Sequence, residues 1–119
     1  MVINVERTWE DLSLKAALQP LRESFLFFLT DQAEFGIGTI IAGVPGLKDA
    51  LSNKPSSTAL IGTKDLNLSR VIIKNLCKKL EKPVIGFIDL RTTMPELKLG
   101  KLVLELLEAL LKEQEKKKN

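Results

Sequence analysis

The chain has 119 residues, of which 45% are hydrophobic and 28% charged, and its formal net charge is +3. This composition is typical of one soluble globular domain, and no apolar run approaches the roughly 18–20 residues that span a bilayer. Histidine and tyrosine are absent and Cys77 is the single cysteine, which excludes the usual zinc sites, His-dependent nucleophiles and an internal disulfide framework. We therefore expect a protein that is not an enzyme and that binds no metal or cofactor. We expect a reducing location, the cytoplasm or, in a eukaryote, also the nucleus.

The first part of the sequence predicts a strand-rich half. Residues 2–5 can form a short strand, and residues 12–19 alternate apolar and polar side chains as a half-buried strand does. We expect Pro20 to end this second strand, because proline cannot donate to a ladder. Residues 22–30 predict a third strand after a very short turn, so the second and third strands are expected to form a hairpin.

Two further strands are expected before the first long helix. Residues 36–43 have a strand composition with three glycines, which favours a bulge or close packing at those positions. Residues 47–57 form a connection in which residues 47–51 can hold one helical turn. Residues 58–62 predict a short strand.

A long amphipathic helix is predicted over residues 68–81. Asn67 or Ser69 can cap its start, and Pro83 stops the helix before a last strand over residues 84–90. Cys77 lies on the apolar stripe of this helix, which predicts a buried and unreactive thiol.

The final helix is predicted over residues 94–113, with Thr93 and Glu96 as a capping box. Its apolar arc is much wider than the roughly 100° of an ordinary surface helix. The helix is therefore either sandwiched within its own domain or shared with a partner chain. For the second case we expect Leu104 and Leu111 to lie at the interface.

The chain divides into one domain, residues 1–113, and a charged tail, residues 114–119. Residues 112–119 carry two of the three net positive charges and predict a solvated helix end. The remaining body is close to neutral, which argues against nucleic-acid binding.

Three predicted strands have no polar face: residues 25–29, 37–44 and 84–90. Strands of this kind are covered on both faces. Two helices can cover only one face of the sheet, which leaves the other for a second protein chain. We therefore expect an α+β fold with a mostly antiparallel sheet of about six strands, two main helices on one face, and a partner on the other. Phe25 and Phe27 are the expected interface residues, and the sequence leaves open which of the two points outward.

A basic face on the first long helix is the other candidate interaction surface. Arg70, Lys74 and Lys78 lie opposite its apolar stripe. The face is either simply solvated or a docking surface for an acidic partner. Nucleic acid is a weaker alternative because no aromatic side chains interleave with the lysines to stack on bases.

The order of the elements and three segments together resemble a known family. The segments are residues 23–29 (ESFLFFL), residues 57–63 (STALIGT) and residues 68–90, which include KPVIGFI. Over residues 12–113 the chain resembles the small proteasome-assembly chaperones of types 3 and 4, and type 4 more closely.

This resemblance implies a non-catalytic helper of 20S proteasome assembly. Members of the family form dimers, usually of a type 3 with a type 4 chain, and bind α-subunits while the α-ring is built. The resemblance thus implies a second small assembly chaperone and proteasome α-subunits as partners, with a homodimer or a heterodimer left open. It implies neither nucleic acid nor membrane as a partner. The alternative is a small dimeric α/β scaffold or adaptor with unrelated partners.

Overall fold

Eight elements of secondary structure follow one another along the chain: β1 (Ile3–Trp9), β2 (Leu12–Leu21), β3 (Ser24–Thr30), β4 (Thr39–Val44), β5 (Ser56–Ile61), α1 (Leu66–Leu80), β6 (Val84–Asp89) and α2 (Glu96–Lys118). The structure is a computed structural model and describes residues 2–10, 12–46, 54–62, 64 and 66–118. The helical turn predicted over residues 47–51 lies outside the described residues.

The six strands form one sheet in the order β1-β2-β3-β6-β4-β5. All neighbours are antiparallel except β3 and β6, which are parallel. The three strands without a polar face, β3, β6 and β4, are thus adjacent in the middle of the sheet. The predicted α+β class with a six-stranded, mostly antiparallel sheet is confirmed.

Both helices pack on the same face of the sheet. α1 lies over β4, β5 and β6, and α2 lies over β1 and β2. The side chains between the layers form one hydrophobic core, in which Phe27, Leu29 and Ile41 are fully buried. No element among the described residues covers the opposite face of the sheet.

Close approach of α1 to the sheet depends on Gly86 in β6. A Cβ atom at this position would overlap the Ile73 side chain of α1. The missing side chain therefore lets Ile73 sit directly on the β6 backbone, with Phe27 beside it. The central strands and α1 thereby share one closely packed layer of side chains.

Proline does not end β2, contrary to the expectation for Pro20. The strand continues to Leu21, with Pro20 paired to Phe25 in the β2–β3 hairpin. The N–H of Phe25 donates to Pro83 O at 3.0 Å, away from β2, so this pair needs no hydrogen bond from Pro20. On the other side of β2, the neighbouring strand β1 begins only opposite Leu18. Pro20 therefore has no β1 residue opposite it, and the absence of its backbone N–H removes no hydrogen bond from the sheet.

Strand boundaries also differ from the predictions. β5 begins at Ser56 rather than at residue 58, and the differences in β1 and β4 are larger. β1 runs from Ile3 through Trp9 rather than ending near residue 5, because its polar residues lie on an exposed edge strand and give no burial signal. β4 begins at Thr39 rather than at residue 36. Gly38 has a φ of 54°, which interrupts the extended conformation.

The predicted helix caps are wrong. α1 begins at Leu66, so Asn67 and Ser69 are both inside the helix. α2 begins at Glu96 rather than after Thr93, because Pro95 O accepts the N–H of Leu99 at 2.9 Å and takes the place of the cap carbonyl. At its other end α2 continues to Lys118, so residues 114–118 extend the helix.

Asp31 joins the end of β3 to the segment after β6. Its carboxylate accepts the backbone N–H of Arg91 at 3.0 Å and of Thr92 at 2.7 Å. Partial burial acts to raise the pKa of Asp31, but hydrogen bonds from Gln32, Arg91 and Thr92 outweigh it and hold the pKa below its usual value.

Replacing Asp31 with alanine is therefore expected to lower the free energy of unfolding by about 1–2 kcal/mol at pH 7. Because the folded-state pKa is depressed, this contribution is full above about pH 4 and is lost as the pH falls further. Urea unfolding of both proteins at pH 7 and pH 3 measures it, with exposed Glu34→Ala as control. An Asp31→Ala deficit that stays constant at pH 3 would contradict the ionised role of the carboxylate.

Candidate protein-interaction surfaces

The uncovered face of the sheet carries a continuous group of apolar side chains. Leu26, Phe28, Ile40, Ile85 and Phe87, here called the sheet-face cluster, come from the three central strands. Register places Leu26 beside Ile85, and Phe87 between Phe28 and Ile40. Residues paired across neighbouring strands point to the same face, so the five side chains lie together on the side away from the helices.

Aromatic contacts order the centre of this cluster. The rings of Phe28 and Phe87 stack at 5.0 Å between centroids with an interplanar angle of 11°. Phe35, from the connection after β3, adds a tilted contact to Phe28 at 5.7 Å. Phe35 is still 40% exposed and Ile85 38% exposed, although both are large apolar side chains. The stack is therefore a preformed apolar surface.

Polar and small side chains border the cluster on the β2 side, where Gln19 pairs with Leu26 and Ala17 pairs with Phe28. On the β5 side the border is mixed. Thr58 pairs with Ala42, but Ile61, which is 57% exposed, pairs with Ile40 of the cluster. The apolar surface therefore has a polar border at β2 and continues onto the edge strand β5.

The two phenylalanines expected at the sheet interface do not lie there. Phe25 is 6% exposed and Phe27 0% exposed, because both point towards the helices. Neither side chain can contact a partner, and the outward positions of β3 are Leu26 and Phe28. The prediction that the interface includes Phe25 or Phe27 is therefore corrected to the alternate residues of the same strand.

The sequence contains a signal for this orientation at the two ends of the strand. The run of five apolar residues lies between Ser24 and Thr30. Both of these polar residues are an even number of positions away from Leu26 and Phe28 and so lie on the same face of the strand as those two. Since alternate residues of a strand share a face, the polar ends indicate which set faces away from the core. The periodicity of the apolar run alone contains no such information.

The helix layer holds the other predicted interface leucines. Leu104 is 47% exposed on α2, and Leu111 is partly buried one heptad later. Both line an apolar depression between α1 and α2, here called the interhelical groove. The structure thus places Leu104 and Leu111 together, but on the opposite side of the molecule from the sheet-face cluster.

The basic residues of α1 lie on its outer side. Lys74 and Lys78 are exposed and Arg70 is partly exposed. Among the residues that the structure describes, none of the three forms a salt bridge, and Arg70 Nε has no hydrogen-bond partner. α1 contains no acidic residue between Leu66 and Leu80. Its positive charge is therefore not neutralised within the helix.

The predicted buried thiol is confirmed. Cys77 is fully buried on the sheet side of α1, and burial raises its pKa to about 11. A thiol with this pKa is almost entirely protonated at neutral pH and is a poor nucleophile. Across the described parts of the chain, no group of three or more Cys, Asp or Glu side chains is arranged to hold a metal ion. Neither α1 nor α2 is long and apolar enough to cross a membrane.

No protein-family model matches the chain, and no curated protein matches it. Among solved structures, a chain from the crystal structure of a chaperone complex for yeast 20S proteasome assembly is similar over 92% of this chain and 98% of its own length. The TM-score is 0.61 and the sequence identity 14%. The two chains share a fold.

This similarity agrees with the fold that the sequence resemblance implies. It extends over nearly the whole of both chains, so the sheet and both helices are included rather than one local motif. At 14% identity the comparison shows the architecture alone, and the assignment to type 4 rather than type 3 stays a prediction.

Proposed function

We propose that this chain is a non-catalytic chaperone that assists assembly of the 20S proteasome α-ring by binding α-subunits as a dimer. The observation that carries the proposal is the fold shared with a chain of the yeast 20S proteasome assembly chaperone complex over almost the full length of both. The sequence resemblance of residues 12–113 to the small assembly chaperones points to the same family independently of the coordinates.

The sheet-face cluster supports the dimeric part of the proposal. Stacked Phe28 and Phe87, with Leu26 and Ile85 beside them, form an apolar surface that the described residues cover only in part, through the contact of Phe35 with Phe28. Burying a few hundred Å² of such a surface contributes on the order of 10 kcal/mol before the costs of association. A second chain of the same fold would offer a sheet face of the same kind.

The partner proposed for that face is a second small assembly chaperone. The resemblance to type 4 favours a type 3 chain and hence a heterodimer, with a homodimer as the form expected when the chain is produced alone. Both partners would act in the cytoplasm, or also in the nucleus of a eukaryotic cell.

Affinity purification of the tagged chain from its source cells, read by mass spectrometry, tests this function. The expected set is proteasome α-subunits and a second small chain, with few β-subunits. A chain carrying Phe28→Asp should lose the small chain, which links the result to the sheet face. Recovery of unrelated proteins and no proteasome subunits would reject the proteasome function. The alternative, a small dimeric scaffold or adaptor with unrelated partners, would then be favoured.

A further inference from the structure

The interhelical groove continues towards the start of α2 as a second depression, since Asn75 and Leu104 line both. Together, the two have the form of a docking site for a helix and are called the interhelical groove below. On α2, Leu97, Leu104 and Leu111 recur every seven residues and line the side that faces α1. Gly100 lies between the first two and leaves room between the helices. Apolar residues at every seventh position have the spacing with which one α-helix packs along another.

This groove is open although its walls are apolar. Leu97 is 86% exposed, Leu104 47% exposed, and Val71 on the facing wall of α1 53% exposed. Single exposed apolar side chains are common on protein surfaces, but these three line one continuous depression. α1 and α2 contact each other little, so the groove is not closed by the helices themselves.

The charge around the groove defines what it can accept. On α1, Lys79 lines the groove, and Arg70, Lys74 and Lys78 lie outside its lining on the same helix, which has no acidic residue. The α2 rim carries Lys101 and Lys112 together with Glu96 and Glu108, so its charges balance and the excess positive charge is on the α1 side. Among the described residues, no ion pair neutralises the four basic residues of α1. A segment lying beside α1 is therefore favoured if it carries carboxylates on that side.

We propose that the interhelical groove binds an acidic amphipathic α-helix of a partner protein. The distance from Leu97 to Leu111 along α2 corresponds to about 21 Å, the length of a helix of about 14 residues. The bound helix would place apolar residues at three- and four-residue spacings between the walls and Asp or Glu on the flank beside α1. An extended peptide fits less well, because neither wall offers the free backbone groups that it would need.

A second copy of this chain does not provide such a helix. Its α1 would bring a second helix without acidic residues next to Lys79, and its α2 has lysines as well as glutamates along the groove side. The inference goes beyond the proposed function and does not rest on it. The groove lies on the helix layer, away from the sheet face through which the dimer is proposed to form.

Fluorescence anisotropy with two labelled, helix-stapled peptides of about 18 residues tests the proposal. Both peptides carry leucine at the same heptad positions, and one has glutamate where the other has lysine on the flank. The acidic peptide is expected to bind the full-length protein at least about tenfold more tightly, with an affinity that falls as salt is raised. Equal binding of both peptides, or no binding of the acidic one, would overturn the proposal.

Matched variants locate the binding site. Leu104→Gln should weaken the acidic peptide about tenfold, whereas Leu21→Gln, an equally exposed leucine at the end of β2, should leave it unchanged. Lys79→Glu should weaken the acidic peptide and strengthen the basic one, and Lys98→Glu, outside the groove, should do neither. Unchanged binding by Leu104→Gln would place the site elsewhere. A shift from dimer to monomer in that variant would show that a second copy occupies the groove and would also reject the proposal.

Discussion

Replacing Phe27 with alanine is expected to lower the free energy of unfolding by about 3–5 kcal/mol. Phe27 is fully buried in the middle of the sheet, where it lies between Leu18 of β2 and Gly86 of β6. Gly86 has no side chain that could move into the space left by the ring. Since domains of this size are stable by only about 5–15 kcal/mol, the loss is a large part of the total. Denaturant unfolding followed by circular dichroism measures it.

The adjacent phenylalanine is the matched control. Phe28 is the next residue of β3, but it points to the uncovered face and is only half-buried. Phe28→Ala is expected to reduce stability much less at low protein concentration, and its effect should grow with concentration if a second chain covers this face. The deficit of Phe27→Ala should be independent of concentration. Equal deficits for the two variants at every concentration would contradict the assignment of the two faces.

Replacing Phe28 with aspartate is expected to weaken association with the proposed partner chain by at least about 30-fold while the chain stays folded. The substitution removes the ring that stacks on Phe87 at 5.0 Å and puts a carboxylate in the centre of the sheet-face cluster. On association that charge would lose its water with no basic residue of the cluster to pair with. Sedimentation equilibrium, or co-purification with the partner chain, gives the affinity.

Leu97→Asp is the control for this prediction. It also replaces an exposed apolar residue with a carboxylate, but on α2 and therefore on the helix layer. Association through the sheet should be unchanged in this variant. If Phe28→Asp pairs as tightly as the unmodified chain, the sheet face is not the interface, and the exposed cluster must have another role.

Much of the architecture can be predicted from residue patterns alone. The three segments without a polar face, residues 25–29, 37–44 and 84–90, correspond to β3, β4 and β6, because an apolar run too short for a helix and bounded by polar turns is typical of a strand buried on both sides. The stripes of α1 and α2 identify two helices by their 3.6-residue period. The ends of strands are harder to predict where no burial pattern marks them, as in the exposed polar half of β1.

Only the tertiary structure decides how those elements are used. β6 lies between β3 and β4 in the sheet although it comes after both in the chain, and no local pattern specifies such pairing between distant segments. That order puts Phe87 beside Phe28 and creates the sheet-face cluster. Which of Phe27 and Phe28 is buried follows in turn from register, because a shift of one residue moves every side chain of a strand to the other face. The amino-acid sequence determines that an apolar surface remains uncovered, and the pairing of the strands determines which residues form it.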